Sequence, residues 1–228
     1  MGHRINSSQV VNRLKKQRIT RQSAFIEFDV ESFYPSISPN LVRNTINWAR
    51  GILNITDKEI EIIEASCHNF LFNGGIPWEK VKYGEHDITM GSYSGAELCE
   101  FVGLFILYQL RDVNINPILY RDDGLLLCNS SPKDNHKTGL KIIEIFKRND
   151  LDIKLLDNRK ITNFLDLTLD LNTHSYRIYV KENNFPLYVH SQSNHPQSIL
   201  KNIPLDVERR VSNLCMTEQI FNECKGFF

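Results

Sequence analysis

The chain has 228 residues, 41% of them hydrophobic and 24% charged, with a formal net charge of zero. That length supports one good core or two modest ones, and the composition is ordinary for a soluble globular protein. No apolar run approaches the ~20 residues needed to cross a bilayer, and nothing apolar follows Met1-Gly2-His3-Arg4, so neither a membrane span nor a secretory leader is expected.

Residues 1–24 contain no Asp or Glu, while Arg13, Lys15, Lys16, Arg18 and Arg21 fall within nine positions. Such a run contacts phosphates, or else is a solvated helix or a disordered arm. A zero net charge weighs against a generally basic nucleic-acid binder, so the distribution matters more than the sum. Residues 24–30, Ala-Phe-Ile-Glu-Phe-Asp-Val, read as a buried strand ending in an acid. Ser38-Pro39 opens a helix that Gly51 closes. Thr56-x-x-Glu59 is a capping box that starts a second helix, expected to run to about Phe72, and Asn73-Gly74-Gly75 turns the chain. Ser94-x-x-Glu97 is another capping box, before a helix with Leu98, Phe101, Val102, Phe105 and Ile106 on one face.

Pro117–Tyr120 and Leu125–Cys128 are two short apolar runs, and Arg121-Asp122-Asp123-Gly124 between them predicts a hairpin with Asp-Gly as the turn. A helix is expected from about Lys137 to Arg148. Leucines at 165, 167, 169 and 171 alternate with polar residues as in a half-buried strand, and Tyr176–Val180 returns after a turn at 172–175. Prolines at 186, 196 and 204 then break the pattern, leaving two short helices near 197–202 and 205–222. The order predicts an α+β layer, with an antiparallel sheet and helices on one face. Five cysteines at 67, 99, 128, 215 and 224, an odd number without a C-x-x-C pair, fit a reduced intracellular chain. No Cys/His cluster has zinc-ligand spacing, and His190 and His195 read as surface or loop residues.

Asp29 stands at a strand end, and Asp122-Asp123 lie at a hairpin tip. Crowded acids destabilise a fold unless something neutralises them. Mg²⁺ does so with one or two carboxylates plus substrate phosphates, and paired ions clamp the oxygens of a phosphoryl transfer. Alone, Asp-Asp in a turn is most often a turn former.

Its surroundings give it more weight. Residues 28–37, Phe-Asp-Val-Glu-Ser-Phe-Tyr-Pro-Ser-Ile, resemble the first palm motif of reverse transcriptases. Tyr120-Arg121-Asp122-Asp123 resembles their Tyr-x-Asp-Asp motif, and residues 89–97, Thr-Met-Gly-Ser-Tyr-Ser-Gly-Ala-Glu, resemble the glycine loop and helix of the middle motif. Residues 181–204, with Tyr188 and Ser193-Asn194-His195-Pro196, resemble the thumb entrance of Penelope-like and related retroelement polymerases. The resemblance covers roughly residues 24–215. It implies a polymerase palm over 25–180, a partial helical thumb over 181–228, and a basic stub of the fingers over 1–24.

The resemblance also implies roles. Asp29, Val30 (through its carbonyl), Asp122 and Asp123 would hold two Mg²⁺ ions, or Mn²⁺. Tyr34 would bar a ribose 2′-hydroxyl, and Gly91 would let the backbone approach the nucleotide. Lys160, in Asn158-Arg159-Lys160, falls where the family has a lysine that protonates the leaving pyrophosphate. Asn163–Asp166 begins a hairpin placed like the primer grip. The implied partners are an RNA template, a DNA primer and dNTPs, with a fingers segment or nuclease domain of a longer parent protein, and no membrane. Met90, Gly95 and Ala96 depart from the family pattern around the middle glycine, as does the short stretch before Asp29. Two rival readings remain: a decayed or co-opted nucleic-acid-binding scaffold, and an RNA-dependent RNA polymerase, against which the bulk of Tyr34 counts.

Overall fold

Asn6 opens the first helix, α1 (Ser7–Lys15): its side chain accepts from the Gln9 N–H, and the Asn6 N–H donates to the Gln9 side chain. The computed structural model describes residues 6–79, 81–182, 187–190 and 192–228. Parts of the expected thumb entrance, including Pro186, lie outside the described residues, as does the Met1–Arg4 terminus. After α1 come β1 (Ala24–Val30), the short α2 (Phe33–Ser36), α3 (Pro39–Arg50) and α4 (Asp57–Ser66). A hairpin of β2 (Leu71–Asn73) and β3 (Ile76–Trp78) leads to α5 (Gly95–Asp112), then β4 (Ile118–Tyr120), β5 (Asp123–Cys128) and α6 (Pro132–Arg148). The chain ends with β6 (Ile153–Arg159), β7 (Ile161–Phe164), β8 (Leu167–Asp170), β9 (Ser175–Ile178), α7 (Gln197–Leu214) and α8 (Glu218–Cys224).

The chain forms two compact units. One comprises residues 26–126 and 130–158, built on a sheet ordered β4-β5-β1-β6. Helix α5 packs on α3, α6 and β4. Phe28 of β1 meets Phe146 of α6 edge-on, with ring centroids 5.4 Å apart. Ile26, Phe28, Ile46, Val102, Ile106, Leu110, Ile142, Ile145 and Phe146 are all buried there. Each such side chain, fully buried, contributes roughly 1.5–3 kcal/mol.

The other unit comprises residues 5–25, 127–129 and 159–228. Its sheet is an antiparallel meander, β7-β8-β9, in which Leu167 pairs with Ile178 and Thr162 with Leu169. Val10 and Val11 of α1 and Val211 and Leu214 of α7 bury their side chains, so the basic N-terminal segment is neither a disordered arm nor a wholly solvated helix. Asp166 in the β7–β8 turn accepts from Ser7 of α1 at 3.1 Å and from Arg210 of α7 at 2.7 Å.

The α+β expectation holds; the differences are strand β6, which was not expected, and several local boundaries. Helix α4 stops at Ser66, because Gly74 and Gly75 at positive φ fold 71–78 into a hairpin instead. Ser94 is αR and makes no capping bond, so the Ser94/Glu97 capping box does not form. The β4–β5 turn is Arg121-Asp122, since Tyr120 pairs with Asp123; Asp123 and Gly124 already belong to β5. Helix α6 starts at Pro132, earlier than expected, because Ser131 caps it. Leu165 and Asp166 turn the chain between β7 and β8, with Leu165 at φ 53°. Helix α7 runs through Pro204, forgoing one backbone bond, so the break between the two expected helices falls at 215–217 instead of near 203–204.

Candidate active site

Strand β1 alternates: Ile26, Phe28 and Val30 are buried, Glu27 is half-buried and Asp29 is exposed. The Val30 N–H donates to the Asp122 carbonyl at 2.9 Å, so the end of β1 lies against the β4–β5 turn. Gly124 fixes that register. A Cβ there would sit 2.0 Å from the Phe28 ring, so only glycine lets the ring lie on β5. Arg121 holds φ 55° one residue before Asp122, and Ser32 holds φ 48° three residues after Asp29. Left-handed backbone at non-glycine residues costs of order 1–3 kcal/mol and clusters at functional sites.

The acids brought together repel one another. Burial pushes the Asp123 carboxyl up to about 6, with the charges of Asp122, Asp29 and Glu27 adding to it. Asp29 is also raised, first by burial and then by Asp122, against a lowering by Lys154. Lys154 itself pairs with Glu31 at 3.1 Å. Glu27 and Lys154 were not singled out in the sequence. For Glu27 the signal was present, since a residue two before Asp29 on a strand shares its face.

Tyr34, on α2, is 8% exposed, with its ring edge-on to Phe33. Burial raises its hydroxyl, and its surroundings include Cys99 of α5, Arg121 and Asp122. Gly91 has φ 90°, with open space where a Cβ would be, so conformation and not crowding calls for glycine there. Gly95 is the opposite case: a Cβ would stand 2.6 Å from the Thr89 carbonyl oxygen, so crowding calls for glycine there. The first unit thus carries Asp29, Val30, Tyr34, Gly91, Asp122 and Asp123. Lys160 belongs to the other unit, where its ammonium donates to the carbonyls of Arg21, at 2.9 Å, and Ser23.

Among the described residues no group of three His, Cys, Asp or Glu side chains converges to hold a metal ion unaided. The donor set still fits Mg²⁺, which takes hard oxygens and uses one or two carboxylates plus substrate phosphates. Burial first, and the neighbouring acids second, raise the Asp29 and Asp123 carboxyls, and a cation would offset the second of these causes.

No family model matches the chain, and no curated protein matches it. Solved structures do. A Candida tropicalis telomerase truncated from its C-terminal domain matches with a TM-score of 0.56 at 14% identity, over 76% of this chain and 39% of that one. An insertion-loop deletion mutant of the RNA-dependent RNA polymerase of a human picobirnavirus matches with a TM-score of 0.57 at 14% identity, over 98% and 46%. Candida albicans telomerase, in complex with a fragment of telomeric RNA, matches at 0.54 and 8% identity, over 89% and 36%. The fold is that of a polymerase palm. The chain spans less than half the length of these polymerases.

Proposed function

We propose that this chain is the catalytic palm of a retroelement reverse transcriptase, of the Penelope-like or a related kind, extending a DNA primer on an RNA template. The observation that carries the reading is the 2.9 Å Val30–Asp122 backbone bond, which sets the acid ending one strand beside the acid in a neighbouring hairpin turn. Asp29 and Asp122, with the Val30 carbonyl, would hold two Mg²⁺ ions, Mn²⁺ serving in their place, and Asp123 would support them. Such ions, when bound, stabilise the attacking and leaving oxygens of the transfer. The chain supplies the positioning: the Tyr34 ring closes the space a 2′-hydroxyl needs, and the Gly91 backbone admits the nucleotide. Lys160 is the candidate proton donor to pyrophosphate; a transfer from it requires its bonds to Arg21 and Ser23 to break.

Primer extension on an RNA template tests this. Asp122→Asn is expected to abolish dNTP incorporation, because an amide is a poor ligand for a hard cation. Near wild-type extension by that variant would overturn the assignment. A metal titration gives a second readout: Mg²⁺ should raise the Tm of the wild type and leave the Asp29→Asn/Asp122→Asn double variant unmoved. The picobirnavirus likeness favours RNA-dependent RNA synthesis as a second reading. Tyr34→Ala decides between the two. A reverse transcriptase should lose discrimination, seen as a fall in the dNTP-to-rNTP ratio of kcat/KM. A wild type that already prefers rNTPs would establish the second reading.

A further inference from the structure

The basic segment identified in the sequence is ordered, and its five cations divide into two sets. Arg13 is half-buried, and Lys15 sits over the Tyr176 ring at 5.4 Å, so both are used inside their own unit. Lys16, Arg18 and Arg21 are exposed, and among the described residues none of them has a carboxylate partner. The helix C-terminus accounts for a cation at Lys16, where the dipole favours it, but not for Arg18 or Arg21 beyond the last turn.

The backbone carrying these three is tied down. The Arg18 carbonyl accepts from Asn129 at 2.9 Å, the Arg21 carbonyl from Lys160 at 2.9 Å, and the Thr20 N–H donates to the Ser23 hydroxyl at 2.7 Å. Ser23 in turn donates to the Asn129 side chain. A fixed loop with free cations loses little conformational entropy when it binds. Lys160 adds a fourth positive charge beneath the loop, and the exposed Arg159 precedes it.

We infer that residues 16–21 form a preorganised docking loop for the sugar-phosphate backbone of a nucleic acid, with Lys16, Arg18 and Arg21 as its phosphate ligands. Exposed Gln17 and Gln22 stand among these cations and offer amide donors, as backbone contacts require. A membrane-surface loop would instead present apolar residues for insertion, and the one aliphatic residue between Lys16 and Arg21, Ile19, is half-buried. The inference deepens the polymerase reading and rests on it only for the choice of polyanion.

Fluorescence anisotropy of the full chain with a labelled RNA–DNA hybrid, across a KCl series without divalent metal, tests it. Replacing Lys16, Arg18 and Arg21 together with Gln should lower the slope of log K against log salt by about 2–3, since each lost contact removes about 0.7–0.9. The charge-retaining variant, Lys16→Arg with Arg18→Lys and Arg21→Lys, should keep the slope even if the neutral variant folds poorly. So should Lys133→Gln/Lys141→Gln/Lys147→Gln on α6. An unchanged slope in the neutral variant overturns the loop, as does a wild type that binds phosphatidylserine vesicles but no hybrid. Asp29→Asn should leave the slope unaltered. Its effect on primer extension therefore judges the catalytic reading separately from this one.

Discussion

Asp123 is the acid on which burial, with the crowding of its neighbours added, acts most strongly. Its carboxyl is pushed up to about 6, chiefly by burial, against an ordinary value near 3.9. Because the folded value lies above the unfolded one, the native state binds the extra proton between about pH 4 and pH 6. The contribution of this group to stability is therefore present at low pH and is lost as pH rises through that window. Asp123→Asn should remove that loss and stabilise the chain at pH 7 by roughly 1 kcal/mol, discounted for the partial exposure of the side chain. Urea unfolding of both forms from pH 4 to pH 7 checks it. A difference that does not grow across the window would show that Asp123 titrates normally. A site that costs stability when empty is expected to recover it on binding a cation, which links this measurement to the Mg²⁺ titration. The acids themselves were legible in the sequence because each sits in a short local motif. Their mutual repulsion was expected too, but the burial that does most to raise Asp123 was not, since it depends on β1 lying beside β5.

At the scale of elements, the β1–β5 register depends on an aromatic ring lying on a glycine. Gly124→Ala would push a methyl into the Phe28 ring, and overpacking of this kind costs about 1–3 kcal/mol. In a double-mutant cycle, Phe28→Leu should relieve part of that cost, giving a coupling of about 0.5 kcal/mol or more. Additive effects would mean that Phe28 is not what the alanine meets. Helix starts were readable where side chains cap locally: Ser38 and Thr56 accept from Leu41 and Glu59 as their spacing predicts. Ser94 carried the same signal and fails, because Gly95 packs against the Thr89 carbonyl and sets a different entry into α5. Strand β6 went unread, since Leu155-Leu156 interrupts the alternation and the strand is specified by its pairing with β1. The β2–β3 hairpin was half-read: its turn is local, but Leu71, Phe72, Ile76 and Trp78 are all exposed, so no burial pattern announces the strands.

Across the whole molecule, the two compact units interleave in sequence, with residues 5–25 and 127–129 belonging with 159–228. Linear reading cannot find such a division, because a strand can leave one unit and enter the next without a linker. The proposed chemistry draws on the acids of the first unit, and the proposed docking loop lies in the second. Cooperative units open separately when each has its own core. Gly124→Ala strikes the first core at Phe28, which packs on Phe146, whereas the β7–β8–β9 meander rests on Leu167, Leu169 and Ile178. Native-state hydrogen exchange should therefore show faster opening in β1, β5 and α6 of the variant, by about 5–150-fold for a loss of about 1–3 kcal/mol. Amides of β7 to β9 should exchange as in the wild type. Uniform acceleration in both sets would establish a single cooperative unit, and the acids and the basic loop would then share one stability.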